Sequence, residues 1–329
     1  MSVAASVVVP TFERPALVVR CLHALCAQEF ARAYEIIVVD DGSSPEAAAV
    51  LQAAIVRCAQ RLRQRPAISL SLRRQRRNRG PAAARNLGWR AARAPFVAFT
   101  DDDTVPTPGW LREGVAALEA GADAVAGGVV VPLPAHPTDY ERDAAGLAHA
   151  GFVTASCFVR KAALQAVGGF DERFRIAWRE DTDLMFALRA HGASIVAAPA
   201  AAVLHPVRPA RFGISLAQQR KTMFDALLYK KYPRWYRRDV RPHPPYAYYA
   251  AVASGLCGLA GAATGHPALA LGGVLAWVAL ALRFARRRLA ATSHAPRHVA
   301  EMLWTSLWIP WLSLYWRLLG SLRFRVLFV

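Results

Sequence analysis

Three consecutive carboxylates, Asp101, Asp102 and Asp103, close an apolar run that begins at Pro95 and continues through Phe96, Val97, Ala98 and Phe99. Such a run, bounded by a proline and a polar cluster, predicts a buried strand whose C-terminal end opens into a crevice. In open α/β sheets ligands bind at that end. Adjacent carboxylates repel one another, and a cation offsets the repulsion. Asp101 and Asp103 offer the hard oxygen ligands that Mg²⁺ or Mn²⁺ takes, with a bound diphosphate to complete the shell. The same residues would equally serve to end a strand and cap the helix that Pro108-Gly109-Trp110 begins. A second acidic pair, Asp40 and Asp41, ends the run Glu35-Ile36-Ile37-Val38-Val39, and a third set, Glu180, Asp181 and Asp183, precedes Leu184. Acidic first turns compensate a helix dipole far more often than they catalyse, so the third set carries both readings.

The elements that must position these groups alternate. Val7 to Val9 form a β-branched run ending at Pro10-Thr11-Phe12-Glu13-Arg14, and Pro15 opens a helix with Leu17, Val18, Cys21, Leu22 and Leu25 at helical spacing. The Glu35–Val39 strand follows, then a helix from about Pro45 to Gln60, a weaker strand at Ala67 to Leu72, and an alanine-rich helix with Arg85, Asn86 and Trp89. After the strand that ends at Asp101, a helix over 108–120 and a strand near Ala124 to Val131 complete the pattern. This order demands a mostly parallel, doubly wound α/β sheet. Nucleotide binding suits such a sheet, yet neither G-x-G-x-x-G nor G-x-x-x-x-G-K-[ST] follows the first strand. A dinucleotide-dependent dehydrogenase and a P-loop NTPase are thereby disfavoured, as is a nucleotidyltransferase, which needs a glycine-rich loop with a lysine there. Carboxylates facing a base, with a metal for the phosphates, would hold a nucleoside diphosphate without a glycine loop.

The segments Val8-Val9-Pro10-Thr11, Val38-Val39-Asp40-Asp41-Gly42-Ser43, Asn78-Arg79-Gly80-Pro81 with Arg85-Asn86, Asp101-Asp102-Asp103, Gly168-Gly169-Phe170-Asp171-Glu172 and Glu180-Asp181-Thr182-Asp183-Leu184 occur in that order. Together they resemble a family-2 glycosyltransferase of the GT-A fold over about residues 5 to 210. The resemblance implies a nucleotide-sugar site containing Pro10, Thr11, Glu13, Asp40, Asp41, Arg85, Asn86, Asp101 and Asp102, with Asp41 on the base. It implies a divalent metal, Mg²⁺ or Mn²⁺, held by Asp103 with Asp101, and His205 completing the shell. It assigns the general base to Asp181, with Glu180 as the alternative, and places Gly169, Asp171 and Trp178 beside sugar and acceptor. One base and one displacement imply inversion at the anomeric carbon. Thr11 and Phe12 depart from the tyrosine that many relatives carry.

Composition sets the wider context. Of 329 residues, 54% are hydrophobic, while the formal net charge is +18, which answers to nucleic acid or to an anionic membrane surface. The run Arg61 to Arg65 with Arg73, Arg74, Arg76 and Arg77 lacks the interleaved aromatics of a nucleic-acid module, so a membrane surface is expected and no nucleic-acid partner. Five scattered cysteines suggest a reducing compartment. Composition shifts near residue 230, giving a catalytic domain over 1–230 and a membrane-associated helical region over 231–329. The uncharged stretch 246–282, broken at Thr264-Gly265-His266-Pro267, predicts a hairpin whose halves have about the minimum length to span a bilayer. Ser254, Gly258 and Ala262 form a small-residue row for close packing, and a pair of buried helices is the alternative. Arg283 and Arg286 to Arg288 follow, so both ends of the hairpin are expected on the cytoplasmic side of an inner membrane. Trp304, Trp308, Trp311 and Tyr315 suggest an interfacial helix over about 299–319, with a third span as the alternative. The expected protein is thus a glycosyltransferase of cell-envelope synthesis, taking a nucleotide-diphospho-sugar donor and a lipid-linked or glycan acceptor. A polyprenyl-phosphate sugar synthase and a non-catalytic basic membrane adaptor remain the alternatives.

Overall fold

The structure, a computed structural model, describes residues 2–328. Two compact units divide the chain. The first runs up to Pro132 and resumes over Ala145–Val207, and the second takes Leu133–Ala144 and continues from Arg208.

In the first unit the elements are β1 (Ala5–Thr11), α1 (Pro15–Cys26), β2 (Tyr34–Asp40), α2 (Pro45–Leu62), β3 (Ile68–Arg74), α3 (Pro81–Ala91), β4 (Phe96–Phe99), β5 (Val105–Pro106), α4 (Trp110–Glu119), β6 (Ala124–Val130), β7 (Cys157–Arg160), α6 (Lys161–Val167), α7 (Glu180–Ala190) and β8 (Ile195–Leu204), with α5 (Asp139–Ala145) between β6 and β7. The strands form one sheet in the order β3-β2-β1-β4-β7-β6-β8-β5. The first four pair in parallel, as the β-α alternation requires, and so do β6 and β8. In contrast, β7 runs antiparallel to β4 and β6, and β5 antiparallel to β8, so the sheet is mixed. Every residue of β1 and β2 is buried, which explains why these strands read as unbroken apolar runs instead of alternating ones.

Register brings the acidic strand ends to one edge. Thr11 stands opposite Asp40, and Thr100 N–H reaches Val8 O, so Asp40, Asp41 and Asp101 to Asp103 leave the sheet beside the end of β1. On the far side, Val105 pairs with Leu204, and His205 N–H donates to Val130 O at 2.8 Å. The residue after β8 is thereby delivered beside Asp103, whose Oδ1 lies 3.4 Å from His205 Nε2. Beneath this edge lies a core of Val7, Val9, Leu22, Leu25, Ile36, Val38, Trp110, Val115 and Phe158.

The second unit is helical: α8 (Ile214–Gln218), α9 (Met223–Lys231), α10 (Pro233–Trp235), α11 (Tyr246–Ala263), α12 (Pro267–Leu289) and α13 (Pro296–Phe324), joined by most of α5. The break between α11 and α12 falls at Thr264 to His266, where the sequence places it. Only α12, among the described helices, is long and apolar enough to cross a membrane by length and composition. The small-residue contact differs: Ala251, Gly255, Gly258 and Gly261 are the buried positions of α11, while Ala262 is exposed. A Cβ on Gly273 would lie 2.3 Å from Gly258 N, which is how closely the two backbones approach. Pro310 lies inside α13, with Trp304, Trp308 and Tyr315 exposed.

Candidate active site

The three consecutive aspartates point three ways. Asp101 Oδ1 accepts from Arg85 Nη2 at 2.8 Å. Asp102 turns inward, 1% exposed, where Oδ2 accepts from Thr11 Oγ1 at 2.7 Å and pairs with Arg14 Nε at 3.3 Å. Asp103 meets His205 Nε2 at 3.4 Å and Arg14 Nη1 at 3.6 Å. One ligand atom from each of Asp101, Asp103 and His205 falls within 4.8 Å of the other two, and these are the three residues named for a metal. Two carboxylates and an imidazole at that spacing fit a hard or borderline divalent cation such as Mn²⁺. Burial pushes the Asp102 pKa up to about 7 against the pull of Arg14 and Thr11. Burial also works on Asp101, but Arg85 and His205 outweigh it and hold that carboxyl below the usual range.

Arg85 links this cluster to the start of α7. It is 3% exposed, and its Nη1 donates to Glu180 Oε1 at 3.0 Å while Nη2 holds Asp101. Desolvation would weaken its charge, yet Asp101 and Glu180 more than restore it, so the guanidinium stays cationic. The second oxygen of Glu180 is buried without a hydrogen-bond partner, and burial lifts its pKa to about 7 despite Arg85. Asp181, half-buried, accepts from Thr182 N–H at 2.6 Å through Oδ1 and makes no hydrogen bond to a described residue through Oδ2. Burial raises its pKa as well. Burial pushes the Cys157 thiol in β7 up, and the charges of Arg85, Asp181 and Asp101 also act on it. Just before α7, Arg179 carries φ +74, strained for a side chain with a Cβ, and stacks on Trp178 at 4.4 Å.

The nucleotide-side residues shape a loop. Asp40 is fully buried, with Oδ1 accepting from Ser43 N–H and Oγ and with Oδ2 3.2 Å from Arg74 Nε. Asp41 accepts from Gln75 Nε2 and Arg79 N–H at 2.9 Å and from Gly80 N–H at 2.8 Å, so it clasps the 75–80 segment. Burial lifts its pKa although two backbone donors oppose the shift. Gly80 takes φ +92, and a Cβ there would lie 2.6 Å from Arg175 O, so only glycine fits. Pro10 is buried in β1, and Glu13, at φ +57, anchors Ser44 N–H at 2.6 Å. Asn86 spends its amide on Phe170 N–H and C=O, Trp89 Nε1 and Glu172, tying α3 to the segment that Gly169 opens. Asp171 is forked by Arg173 at 2.6 Å.

All the expected carboxylates except Asp171 therefore sit on or beside the carboxyl edge of β1, β2 and β4, or at the start of α7. Two residues were not singled out for roles they hold. Arg14 bridges Asp102 and Asp103, and Arg20 donates to Asp103 O at 3.2 Å. The only sequence signal for Arg14 is its place three residues beyond a strand end.

Mixed-sheet order and acidic strand ends are those of a GT-A glycosyltransferase. The profile described as Glycosyl transferase family group 2 matches residues 96–319, more than half of the chain, and that of Glycosyl transferase family 2 matches residues 6–144. The chain belongs to the family-2 glycosyltransferases. The pre-mycofactocin glycosyltransferase of Mycobacterium tuberculosis is 34% identical over an alignment of 149 residues that covers 40% of this chain and 31% of that protein. The glycosyltransferase AglE of Haloferax volcanii is 30% identical over 142 residues, 42% and 43% respectively. The matched region is thus less than half of either relative. In fold, the mannosyltransferase PcManGT from Pyrobaculum calidifontis, solved with GDP-Man and Mn²⁺, gives a TM-score of 0.57 at 19% identity, over 95% of this chain and 86% of that one. S. aureus TarS 1-349 with UDP-GlcNAc gives 0.51 at 16% identity, over 99% and 93%.

Proposed function

We propose that the protein is an inverting glycosyltransferase that moves a sugar from a nucleotide-diphospho-sugar to a hydroxyl of a lipid-linked or cell-envelope glycan acceptor at the cytoplasmic face of a membrane. The observation that carries this reading is the Arg85 bridge, which holds Asp101 of the acidic cluster and Glu180 of α7 to one guanidinium beside Asp181. Asp101, Asp103 and His205 would hold a divalent cation, whose chemistry is to offset charge on the departing diphosphate. Asp41 and the 75–80 segment frame the nucleoside. The acceptor oxygen attacks the anomeric carbon as the bond from that carbon to the diphosphate breaks, and its proton passes to the free oxygen of Asp181. A raised pKa makes Asp181 a better base than a surface carboxylate. Displacement by one attack, with no enzyme nucleophile, inverts the anomeric centre. The apolar α12, ending in Arg283 and Arg286 to Arg288, supports a membrane setting with that end cytoplasmic.

The test has two stages. Nucleotide-sugars are screened by thermal shift with and without Mn²⁺, where a bound donor raises the melting temperature. Asp181→Asn then keeps donor affinity and lowers turnover about 10²–10⁴-fold. Turnover within about threefold of wild type at saturating substrates removes the base role, because an asparagine can still satisfy Thr182. In that case a polyprenyl-phosphate acceptor, already ionised, becomes the better account. Absence of any metal-dependent donor binding leaves only a non-catalytic adaptor.

A further inference from the structure

Within the helical unit lies a cavity of about 930 Å³, walled by α5, α11, α12 and α13. Four arginines and two aspartates line it, so it carries an excess of positive charge. Arg288 is neutralised: its Nη2 meets Asp139 Oδ2 at 2.7 Å, and its Nη1 donates to Thr305 Oγ1 at 2.7 Å and Ser306 Oγ at 3.1 Å. That network forms a fixed floor. Arg142, Arg283 and Arg287, by contrast, make no ion pair or hydrogen bond to a described residue, and all three are solvent-accessible. Arg283 and Arg287 lie four positions apart and therefore project from one face of α12. Tyr246 and Phe284 add flat apolar walls. Free guanidinium groups beside aromatic walls match an oxyanion attached to something greasy.

Where this cavity sits along α12 narrows the ligand further. It lies at the basic end of the one helix apolar enough to cross a membrane, whose Leu269, Leu271, Leu275 and Leu282 are exposed. Leu269 and Leu280 share the face of α12 that carries Arg283 and Arg287, so a lipid lying along that face would bring its headgroup to these two arginines. We propose that this cavity binds the phosphomonoester headgroup of an anionic membrane lipid, with Arg142, Arg283 and Arg287 on the phosphate oxygens and the acyl chains along α12. The proposal rests on the reading that α12 lies in a bilayer, and not on sugar transfer.

The full chain in neutral detergent is titrated calorimetrically with short-chain phosphatidate, short-chain phosphatidylcholine and inorganic phosphate, without donor or metal. Phosphatidate is expected to saturate one site, while phosphatidylcholine gives no saturable signal and inorganic phosphate binds at least tenfold more weakly. Arg286 is the internal control, being exposed on the same turn but outside the cavity. Arg286→Gln removes one surface cation and lowers phosphatidate affinity about fivefold. Arg287→Gln loses in addition a charge-assisted hydrogen bond, so its affinity falls at least about tenfold further. Arg142→Gln, on a different helix, behaves like Arg287→Gln and guards against a local folding defect at the end of α12. Equal losses for Arg286→Gln and Arg287→Gln, or equal affinities for inorganic phosphate and phosphatidate, overturn the proposal. Because only binding is read, its failure and a failure of sugar transfer are separate results.

Discussion

Replacing Arg85 by methionine tests the link on which the site depends. The change keeps a buried apolar stem and deletes the cation that joins Asp101 Oδ1, at 2.8 Å, to Glu180 Oε1, at 3.0 Å. Breaking a buried pair by removing one partner typically costs about 3–5 kcal/mol. Glu180 can escape part of that cost by taking a proton, and its pKa of about 7 says when. A carboxyl raised above its unfolded value of 4.5 supports the fold fully below that value and loses this support as pH rises through the folded pKa. In wild type the loss is complete above about pH 7. Without Arg85 the folded pKa climbs higher, so the variant keeps losing stability, by about 1.4 kcal/mol for each further pH unit. Arg85→Met should therefore be more damaging at pH 8.5 than at pH 6, by about 2 kcal/mol. Urea unfolding of the metal-free full chain in neutral detergent, followed by tryptophan emission, reads this as the midpoint shift multiplied by the slope. In a Glu180→Gln background the part of the pH dependence that Glu180 carries should vanish, leaving the smaller part from Asp101 and Asp181, on which Arg85 also acts. A destabilisation equal at the two pH values, or unchanged by Glu180→Gln, refutes the bridge as the coupling element.

Three further outcomes follow from the geometry. Asp103→Ala removes a ligand from the Asp101, Asp103 and His205 set and should abolish Mn²⁺-dependent nucleotide binding in thermal shift while circular dichroism stays unchanged; metal-dependent binding at wild-type strength rules Asp103 out. Asp102→Asn keeps the acceptor for Thr11 and should retain metal-dependent binding. Since the raised Asp102 pKa costs wild type stability as pH rises from about 4 to about 7, the variant should gain relative to wild type over that range, and an opposite slope in urea titrations refutes it. The full chain should stay with membranes through a carbonate wash, and Leu271→Arg with Leu275→Arg, each costing about 3 kcal/mol in the hydrocarbon, should release it; retention of the double variant argues against α12 as the anchor.

The sequence reached the parts of this architecture that local patterning controls. β1, β2 and β4 read as buried because their apolar runs are short and bounded by polar or turn residues, and the break at Thr264 to His266 is written in turn residues. What it missed depends on partners distant in the chain. β7 lies in the segment after Pro132, where no motif marks it, and its antiparallel insertion between β4 and β6 comes from pairing rather than local propensity. Asp139 joins Arg288 across 149 positions, so nothing local assigns residues 133–144 to the helical unit. Composition also separates the two halves of the 246–282 stretch: the glycines of α11 allow a close helix contact, while α12 alone among the described helices has the length and apolarity of a span.

The acidic triplet shows how one short motif yields several environments. Three neighbouring carboxylates cannot share one cavity as three full charges without a large repulsive cost. The chain avoids this by turning the middle residue inward, where Thr11 and Arg14 hold it and burial drives it toward protonation. Asp101 and Asp103 then come together with His205, each offering one atom within 4.8 Å of the others, so spacing of two, and not mere acidity, makes this set fit for a cation. Arg85 holds Oδ1 of Asp101 and carries the arrangement to α7. The same guanidinium therefore shapes both the cluster suited to a diphosphate and the carboxylates suited to a proton. A change at Arg85 should disturb both functions together, whereas changes at Asp103 and Asp181 should separate them.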